Sequence, residues 1–346
     1  MFVNQHIRVN MTIIKTSLAG LFLLVVIAVS GAVYFKHQIS NPLNVSEPTL
    51  LVIPKGTTGH GALSLLQNSG FTDIDTLSGK LWLKFFAHGG HVKAGTYQLT
   101  GQMTLTDAFW MFSQGAEYQF SVSLIDGLTL QQWETILANH PHINNDLSAQ
   151  VTADLLAQWP WQPEDGLASL EGLFLADTYH FTANTRASTI LRRAMHSMQE
   201  FLAAQWEGRT VGLPLASPYE ALILASIIEK ETAVGAERAR IAGVFVNRLE
   251  QNMRLQTDPT VIYGIGATFD GNITRRHLRE KTAYNTYVIR GLPPTPIAMA
   301  GRPAIKAALN PALTDELYFV AKGDGSHQFS QTLEEHNQAV RKYQLN

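Results

Sequence analysis

Apolar positions in this chain fall into blocks of different period. The first block has none: "TSLAGLFLLVVIAVSGAVYF", Thr16 to Phe35, is continuously apolar and uncharged. A helix of about 20 residues spans roughly 30 Å, the hydrocarbon thickness of a bilayer. Arg8 and Lys15 precede the run, with no acid among residues 1–15. That asymmetry predicts a cytoplasmic tail (1–15), a transmembrane helix (16–35) and the remainder of the chain across the membrane. A cleaved signal peptide is the competing reading, with Ala28-Val29-Ser30 as a passable cleavage site. The run is longer than the usual signal-peptide apolar region of about 7–15 residues, which favours the uncleaved anchor. A buried helix of a soluble domain is a weaker third reading, because such helices are usually amphipathic.

The next segment, "KHQISNPLNVSEP" (36–48), is polar with two prolines and reads as a linker. Shorter periods follow. Leu50 to Ile53 predicts a strand, and Ala62, Leu63, Leu65 and Leu66 predict a helix after a Lys-Gly turn. "LWLKFFAHG" predicts a second helix, Leu81 to Ala87, then comes a strand at Thr96 to Leu99 and a helix from Thr106 to Phe112. Strand, helix, helix, strand on this scale makes a small α+β module, residues 49–115. "YQFSVSLIDGLTLQQWETILANH" then gives strand, Asp126-Gly127 turn and helix from Leu130, echoing "LLVIPKGTTGHGALSLLQNSG". It is either an internal repeat or a second ordinary strand–helix corner.

Residues 116–346 form the larger domain. Ile190, Leu191, Ala194, Met198 and Leu202 mark a long amphipathic helix, and the chain stays mainly helical from Ser217 to about Met253. A loop-rich stretch follows. "ELYFVAKGDGSHQFSQTLEEHNQAVRKY" closes the chain as strand, Gly-Asp-Gly turn, strand and helix. The expected class is α+β, with a helical core and peripheral short strands.

Composition narrows the function classes. The chain of 346 residues is 45% hydrophobic, so it can bury more than one core. Its net charge of −2 with mixed signs argues against nucleic-acid binding. With no cysteine it has no disulfide framework, thiolate metal site or cysteine nucleophile. The 12 histidines include no His-x-x-x-His pair, and His140 and His142 sit in a Pro-containing loop, so a metallohydrolase is disfavoured.

The candidate chemistry sits in "ASIIEKETAVGAERARIAGVFVNRL", where an apolar helix ends in Glu229 and Glu231. Ser217 as N-cap, Pro218 at the first position and Glu220 three residues after the cap predict a helix from Pro218 to about Thr232, opened by a capping box. Glu231 falls on the stripe of Ala221, Leu224, Ile227 and Ile228, and Glu229 points about 200° away. Acids at a helix C-terminus oppose the macrodipole. A carboxyl at the lip of a hydrophobic core has its pKa raised, as a general acid near neutral pH requires. Periodicity leaves open whether Glu231 works or merely ends a helix. Glu237, in the first turn of the next helix, is explained by dipole complementation. Arg248 reads as the structural partner of an acid or as a group for a substrate carboxylate.

The long block "ASIIEKETAVGAERARIAGVFVNRLEQNMRLQTDPTVIYGIG" resembles the bacterial endolytic murein transglycosylases, the YceG-like family. So do "EGLFLADTYHFTANT", "KAGTYQL", "AYNTYVIRGLPPTPIAMAG", "LNPALTDELYFVAKGDGSHQFSQTLEEHN" and the single N-terminal span. The resemblance covers nearly all of the chain after Val52. One departure is Ala176, where the family usually has proline before Asp-Thr-Tyr. The resemblance implies an inner-membrane protein facing the periplasm, with a LysM-like module (49–115) and a YceG-like catalytic domain (116–346). It implies cleavage between N-acetylmuramic acid and N-acetylglucosamine within nascent peptidoglycan strands, association with peptidoglycan synthases, and no cofactor. Carried over residue by residue, the catalytic acid is the second Glu of Glu-Lys-Glu-Thr, Glu231.

Around that acid, Gln256, Thr257 and Asp258 precede Pro259 in a loop expected to face a cleft. Tyr263, Tyr284, Asn285 and Tyr287 supply flat faces and hydrogen-bonding groups suited to sugars, with Asn285 a candidate for the acetamido group. Loop packing is the alternative for each tyrosine. Glu229 reads as structural support, paired with Arg238 or Arg248. Two rival functions stay open: a hydrolytic muramidase using Glu231 with Asp258, and a noncatalytic glycan-binding scaffold.

Overall fold

The computed structural model describes residues 3–85 and 91–345. The chain divides into two compact units, Met1–Gln119 and Phe120–Asn346.

The first unit begins with α1 (Val3–Ser40) and continues through β1 (Thr49–Ile53), α2 (Gly59–Asn68), α3 (Thr76–Phe85), β2 (Gly95–Leu99) and α4 (Leu105–Gln114). Within α1, Ser17–Ser40 is long and apolar enough to cross a membrane. The helix runs past the expected end at Phe35 because no breaker precedes Pro42; the residue before a proline is biased out of the α region. The expected linker is therefore helical to Ser40. Its remainder packs onto the unit, since Leu43 and Val45 are buried and the Leu43 amide donates to the Met103 carbonyl at 2.7 Å. Of the helix expected over Leu81 to Ala87, Phe86 and Ala87 lie outside the described residues. Strands β1 and β2 pair antiparallel with Leu51 opposite Tyr97, and Trp82, Tyr97, Phe112 and Leu66 fill the core.

The second unit opens with β3 (Phe120–Leu124), α5 (Leu130–Asn139), β4 (Ile143–Asn144), α6 (Ala149–Ala157), β5 (Asp177–Phe181) and β6 (Thr185–Arg186). The helices α7 (Ala187–Glu207), α8 (Pro218–Glu231), α9 (Arg238–Glu250), α10 (Asp258–Ile265) and α11 (Arg302–Leu309) follow. The hairpin β7 (Tyr318–Ala321) and β8 (His327–Ser330) leads to α12 (Leu333–Gln344). Helix α8 is central, packed against α11, α9, α10 and α7. From Pro218 to Ile228 every residue except Glu220 is buried. Ser217 caps α8 by accepting from the Glu220 amide at 3.3 Å. The capping box is incomplete: Glu220 reaches past the cap to the Ala216 amide at 2.6 Å. Gly243 lets α9 approach the chain beyond α11, because a Cβ there would stand 2.5 Å from the Ala312 carbonyl oxygen.

The echo between the two strand–Gly–helix stretches is a structural repeat. Each begins with a five-residue strand, β1 or β3. Each then turns at a positive-φ glycine, Gly56 or Gly127. Thr58 and Thr129 cap ten-residue helices, α2 and α5, by side-chain acceptance. Each first strand pairs antiparallel with a later one carrying a buried tyrosine, Leu51 opposite Tyr97 and Val122 opposite Tyr179. Both hydroxyls donate to the carbonyl four residues earlier, Tyr97 to Lys93 at 2.9 Å and Tyr179 to Leu175 at 2.7 Å. Each unit thus carries a strand–helix–helix–strand frame, with β4 added between the helices of the second.

Tyr179→Phe leaves the buried Leu175 carbonyl without its donor, a loss of roughly 1–3 kcal/mol. Chemical denaturation of the full chain in detergent is expected to show that loss in the transition followed by the second unit's tryptophans.

Candidate active site

Helix α8 ends at Glu231, and the carboxyl emerges into a cavity of about 500 Å³. Glu231, Thr257, Asp258 and Tyr287 line it together with Tyr318 and His327 from the C-terminal hairpin. Burial pushes the Glu231 carboxyl up to about 7. Asp258 raises it further by like-charge repulsion; the Thr257 hydroxyl bond, and the charges of His327 and Arg248, act in the opposite direction. Desolvation wins because the whole apolar length of α8 and its neighbours stands behind the carboxyl.

The Thr257 hydroxyl donates to Glu231 Oε1. Thr257 is itself fixed by the Thr286 hydroxyl, which accepts from its amide at 3.0 Å, and Thr286 and Thr260 share a hydroxyl contact of 2.9 Å. All three threonines are buried. The turn that delivers Thr257 is strained: Gln256 sits at φ 52°, a left-handed conformation uncommon for a side-chain-bearing residue. Its amide donates to the Thr286 carbonyl at 3.2 Å and its Oε1 accepts from Arg248 at 3.4 Å. Asp258 begins α10 and does not lie in the loop as expected; its Oδ1 accepts from the Tyr287 hydroxyl at 2.7 Å.

Of the expected site residues, Glu231, Gln256, Thr257, Asp258, Tyr287 and Arg248 meet at this cavity. Tyr263, Tyr284 and Asn285 lie outside its lining. Asn285 is 1% exposed, and its side chain is consumed locally. Its Nδ2 donates to the His277 and Glu280 carbonyls at 3.0 and 2.7 Å, and its Oδ1 accepts from the Tyr287 amide at 3.0 Å. It is a loop staple that sets Tyr287. Tyr263 and Tyr284 pack ring to ring at 5.0 Å; Tyr263 donates to Glu171 at 3.3 Å, and the Tyr284 and Thr295 hydroxyls meet at 2.8 Å.

Glu229 pairs with Arg238 at 3.3 Å and accepts from the Gly301 amide at 2.9 Å. Arg248, by contrast, is paired with no acid among the described residues. Its guanidinium donates to the carbonyls of Leu317, Leu255 and Arg254 at 2.6, 2.9 and 3.1 Å, tying the hairpin to the Gln256 turn. Glu237 is more than a helix-start charge: its two oxygens hold the His327 amide at 3.1 Å and the His327 ring at 2.7 Å.

The family model described as "YceG-like family" matches residues 51–342. The chain belongs to this family. It is 30% identical to a Bacillus subtilis protein named endolytic murein transglycosylase, covering 91% of each chain. It is 26% identical to a protein of the same name from Streptococcus pneumoniae, over 73% of this chain and 51% of that one. A crystal structure of a putative YceG-like protein from Listeria monocytogenes superposes with a TM-score of 0.52 at 28% identity, covering 84% of this chain and 99% of that one.

Three residues of this cavity, and one buried acid outside its lining, were not among the expected site residues. The hairpin wall with His327, and His336 and Asn337 of α12, comes from a segment that carried secondary structure and the family resemblance but no candidate site residue. Its polar "GSHQF" and "EEHN" stretches were the available signal. Glu171 is a second buried carboxyl, 3% exposed and pushed by burial to about 7, which accepts from the first amide of α5. An acid inside the apolar run "SLEGLFL" marked it.

Thr257→Val removes a hydrogen bond to the ionised form, so the Glu231 pKa is expected above 7 in that variant, read by carboxyl carbon NMR titration. Because folding already raises the Glu231 pKa above 4.5, its stabilising share is complete below pH 4.5 and is lost as the pH climbs through 7. Glu231→Gln is therefore expected to gain melting temperature over the wild type at pH 8 and not at pH 4.

Proposed function

We propose that the protein is a membrane-anchored endolytic lytic transglycosylase, a carbon–oxygen lyase acting on peptidoglycan. The observation that carries this reading is Glu231: one desolvated carboxyl near pKa 7 in a cleft, in a chain whose relatives bear the name endolytic murein transglycosylase. It acts on the bond between N-acetylmuramic acid and N-acetylglucosamine inside nascent strands and so ends glycan elongation. Ser17–Ser40 supplies the anchor in the inner membrane, with Arg8 and Lys15 on the cytoplasmic side and the rest of the chain periplasmic. Residues 49–115 form a LysM-like module; a cleft of about 770 Å³ beside Thr58, Lys80 and Lys84 would accept glycan. Residues 116–346 form the catalytic domain. Peptidoglycan synthases are the natural neighbours of an enzyme that cuts new strands.

The chemistry follows from the protonated acid. Glu231 gives its proton to the glycosidic oxygen as the C1–O bond breaks. The substrate's 2-acetamido group stabilises the oxocarbenium-like centre. The C6 hydroxyl then closes onto C1 and its proton passes to a base, for which the Glu231 carboxylate left by the first step suffices, leaving a 1,6-anhydromuramyl end without consuming water. Thr257 orients the carboxyl through Oε1.

Hydrolysis is the second reading. Asp258 lines the same cavity and interacts electrostatically with Glu231, so two carboxyls are present as in water-using glycosidases. The released ends separate the two readings. The full chain in detergent, incubated with purified sacculi, is expected to yield anhydro ends by mass spectrometry, with activity falling as the pH rises through about 7. Glu231→Gln is expected to lose roughly 10²–10⁴-fold in rate. Reducing ends alone would sink the lytic mechanism, and undiminished Glu231→Gln activity would sink the acid.

A further inference from the structure

The cavity holds a second proton-carrying group that the Glu231 mechanism does not use. His327 starts β8 and lines the cavity with Glu231. Its position is fixed at two points by one residue. Glu237 Oε1 accepts from the His327 amide and Oε2 meets ring Nδ1 at 2.7 Å. The edge of the Phe319 ring packs against the imidazole at 90°, with centroids 5.4 Å apart. With Nδ1–H given to the carboxylate, a neutral imidazole carries its lone pair on Nε2. Nε2 has no hydrogen-bond partner among the described residues and is not sealed in the interior. An imidazole oriented by a carboxylate, with its other nitrogen unbonded and its ring in the lining of a cleft, is the arrangement of a general base.

Resting on the transglycosylase reading, we propose that His327 is the base of the ring-closing step. Glu231 protonates the leaving oxygen and the C1–O bond breaks. As the C6 oxygen bonds to C1, its proton passes to His327 Nε2. The imidazolium then returns one proton, through water in the cavity, to the Glu231 carboxylate, and the site is restored with no net proton gained. Two groups divide what one carboxyl would otherwise do in sequence. Thr257 already occupies one oxygen of Glu231, which leaves that carboxyl oriented for the donating step.

Among the described residues the charged and titratable groups around the imidazole are Glu237 before α9, Arg248 on α9, Glu231 on α8, Asp258 on α10, His336 on α12, Lys322 in the hairpin turn, Tyr318 on β7 and Tyr287. Among the described residues only Glu237 hydrogen-bonds the ring. Glu237 is thus a positioning residue, acting through His327.

The test uses the full chain in detergent with purified sacculi and quantifies anhydro and reducing muramyl ends. His327→Asn keeps a donor for Glu237 and removes Nε2. It is expected to lower kcat by roughly 10²–10³-fold at unchanged KM, and to let water intercept the cleaved centre so that reducing ends appear. Glu237→Gln is expected to lie between this variant and the wild type. Free imidazole is expected to restore turnover to His327→Ala. A folded His327→Asn or Glu237→Gln protein with wild-type turnover and anhydro ends alone overturns the assignment and leaves the role of Glu231 standing. Absence of any glycan cleavage by the wild type overturns both.

Discussion

Everything at the site depends on the burial of one helix end. Helix α8 is apolar on nearly every face, and α7, α9, α10 and α11 enclose it. A charge placed where that enclosure stops loses most of its hydration. Among the described residues one hydroxyl hydrogen bond and the more distant His327 and Arg248 oppose this, and together they lower the pKa less than desolvation raises it. The result is a carboxyl that is protonated over a useful part of the neutral range. The neighbouring Glu229 is also raised by burial, but Arg238 and the Gly301 amide occupy it. The two acids differ in their partners more than in their depth.

Thr257 and Tyr287, which line the cavity with Glu231, come from irregular chain, and the structure spends strain and buried polar groups to hold them. The left-handed Gln256, the buried Thr257, Thr260 and Thr286 hydroxyls and the three carbonyls on Arg248 form one connected set. Its members satisfy one another, so the cost of burying them is offset. Arg248 reaches both the Leu317 carbonyl before β7 and the Gln256 turn, which links the hairpin wall carrying His327 to the loop carrying Thr257.

The two strand–helix–helix–strand frames show how one local plan serves different ends. In the first unit the space beside Thr58 stays open as a cleft. In the second, the corresponding turn is filled by the chain itself. Gly127 and Leu128 exchange backbone hydrogen bonds with Met299, both at 2.8 Å, and Glu171 accepts from Leu130. Lys230, between the two acids of α8, donates to the Gly127 carbonyl at 3.0 Å. The second frame is therefore a bracket for the end of α8, and the turn it uses for that purpose is the one the first frame leaves free.

Local physics made much of this legible in the sequence. The continuous apolar run, the Ser-Pro start of α8, the stripe carrying Glu231, the amphipathic face of α7 and the glycine turn of the final hairpin each follow from neighbours in the chain. The echo of strand, glycine and helix was visible there too, though pattern alone left it undecided. Tertiary packing decided the rest. Asn285 and Tyr284 share a sugar-binding composition with Tyr287, yet backbone carbonyls and a neighbouring ring consume the first two, and only Tyr287 reaches the cavity. Glu237 looked satisfied by its helix, but its partner is 90 residues away at His327. Sequence fixes which groups can ionise, donate or bury apolar area. Which of them find partners depends on contacts between distant segments, and those partners determine the chemistry that remains free.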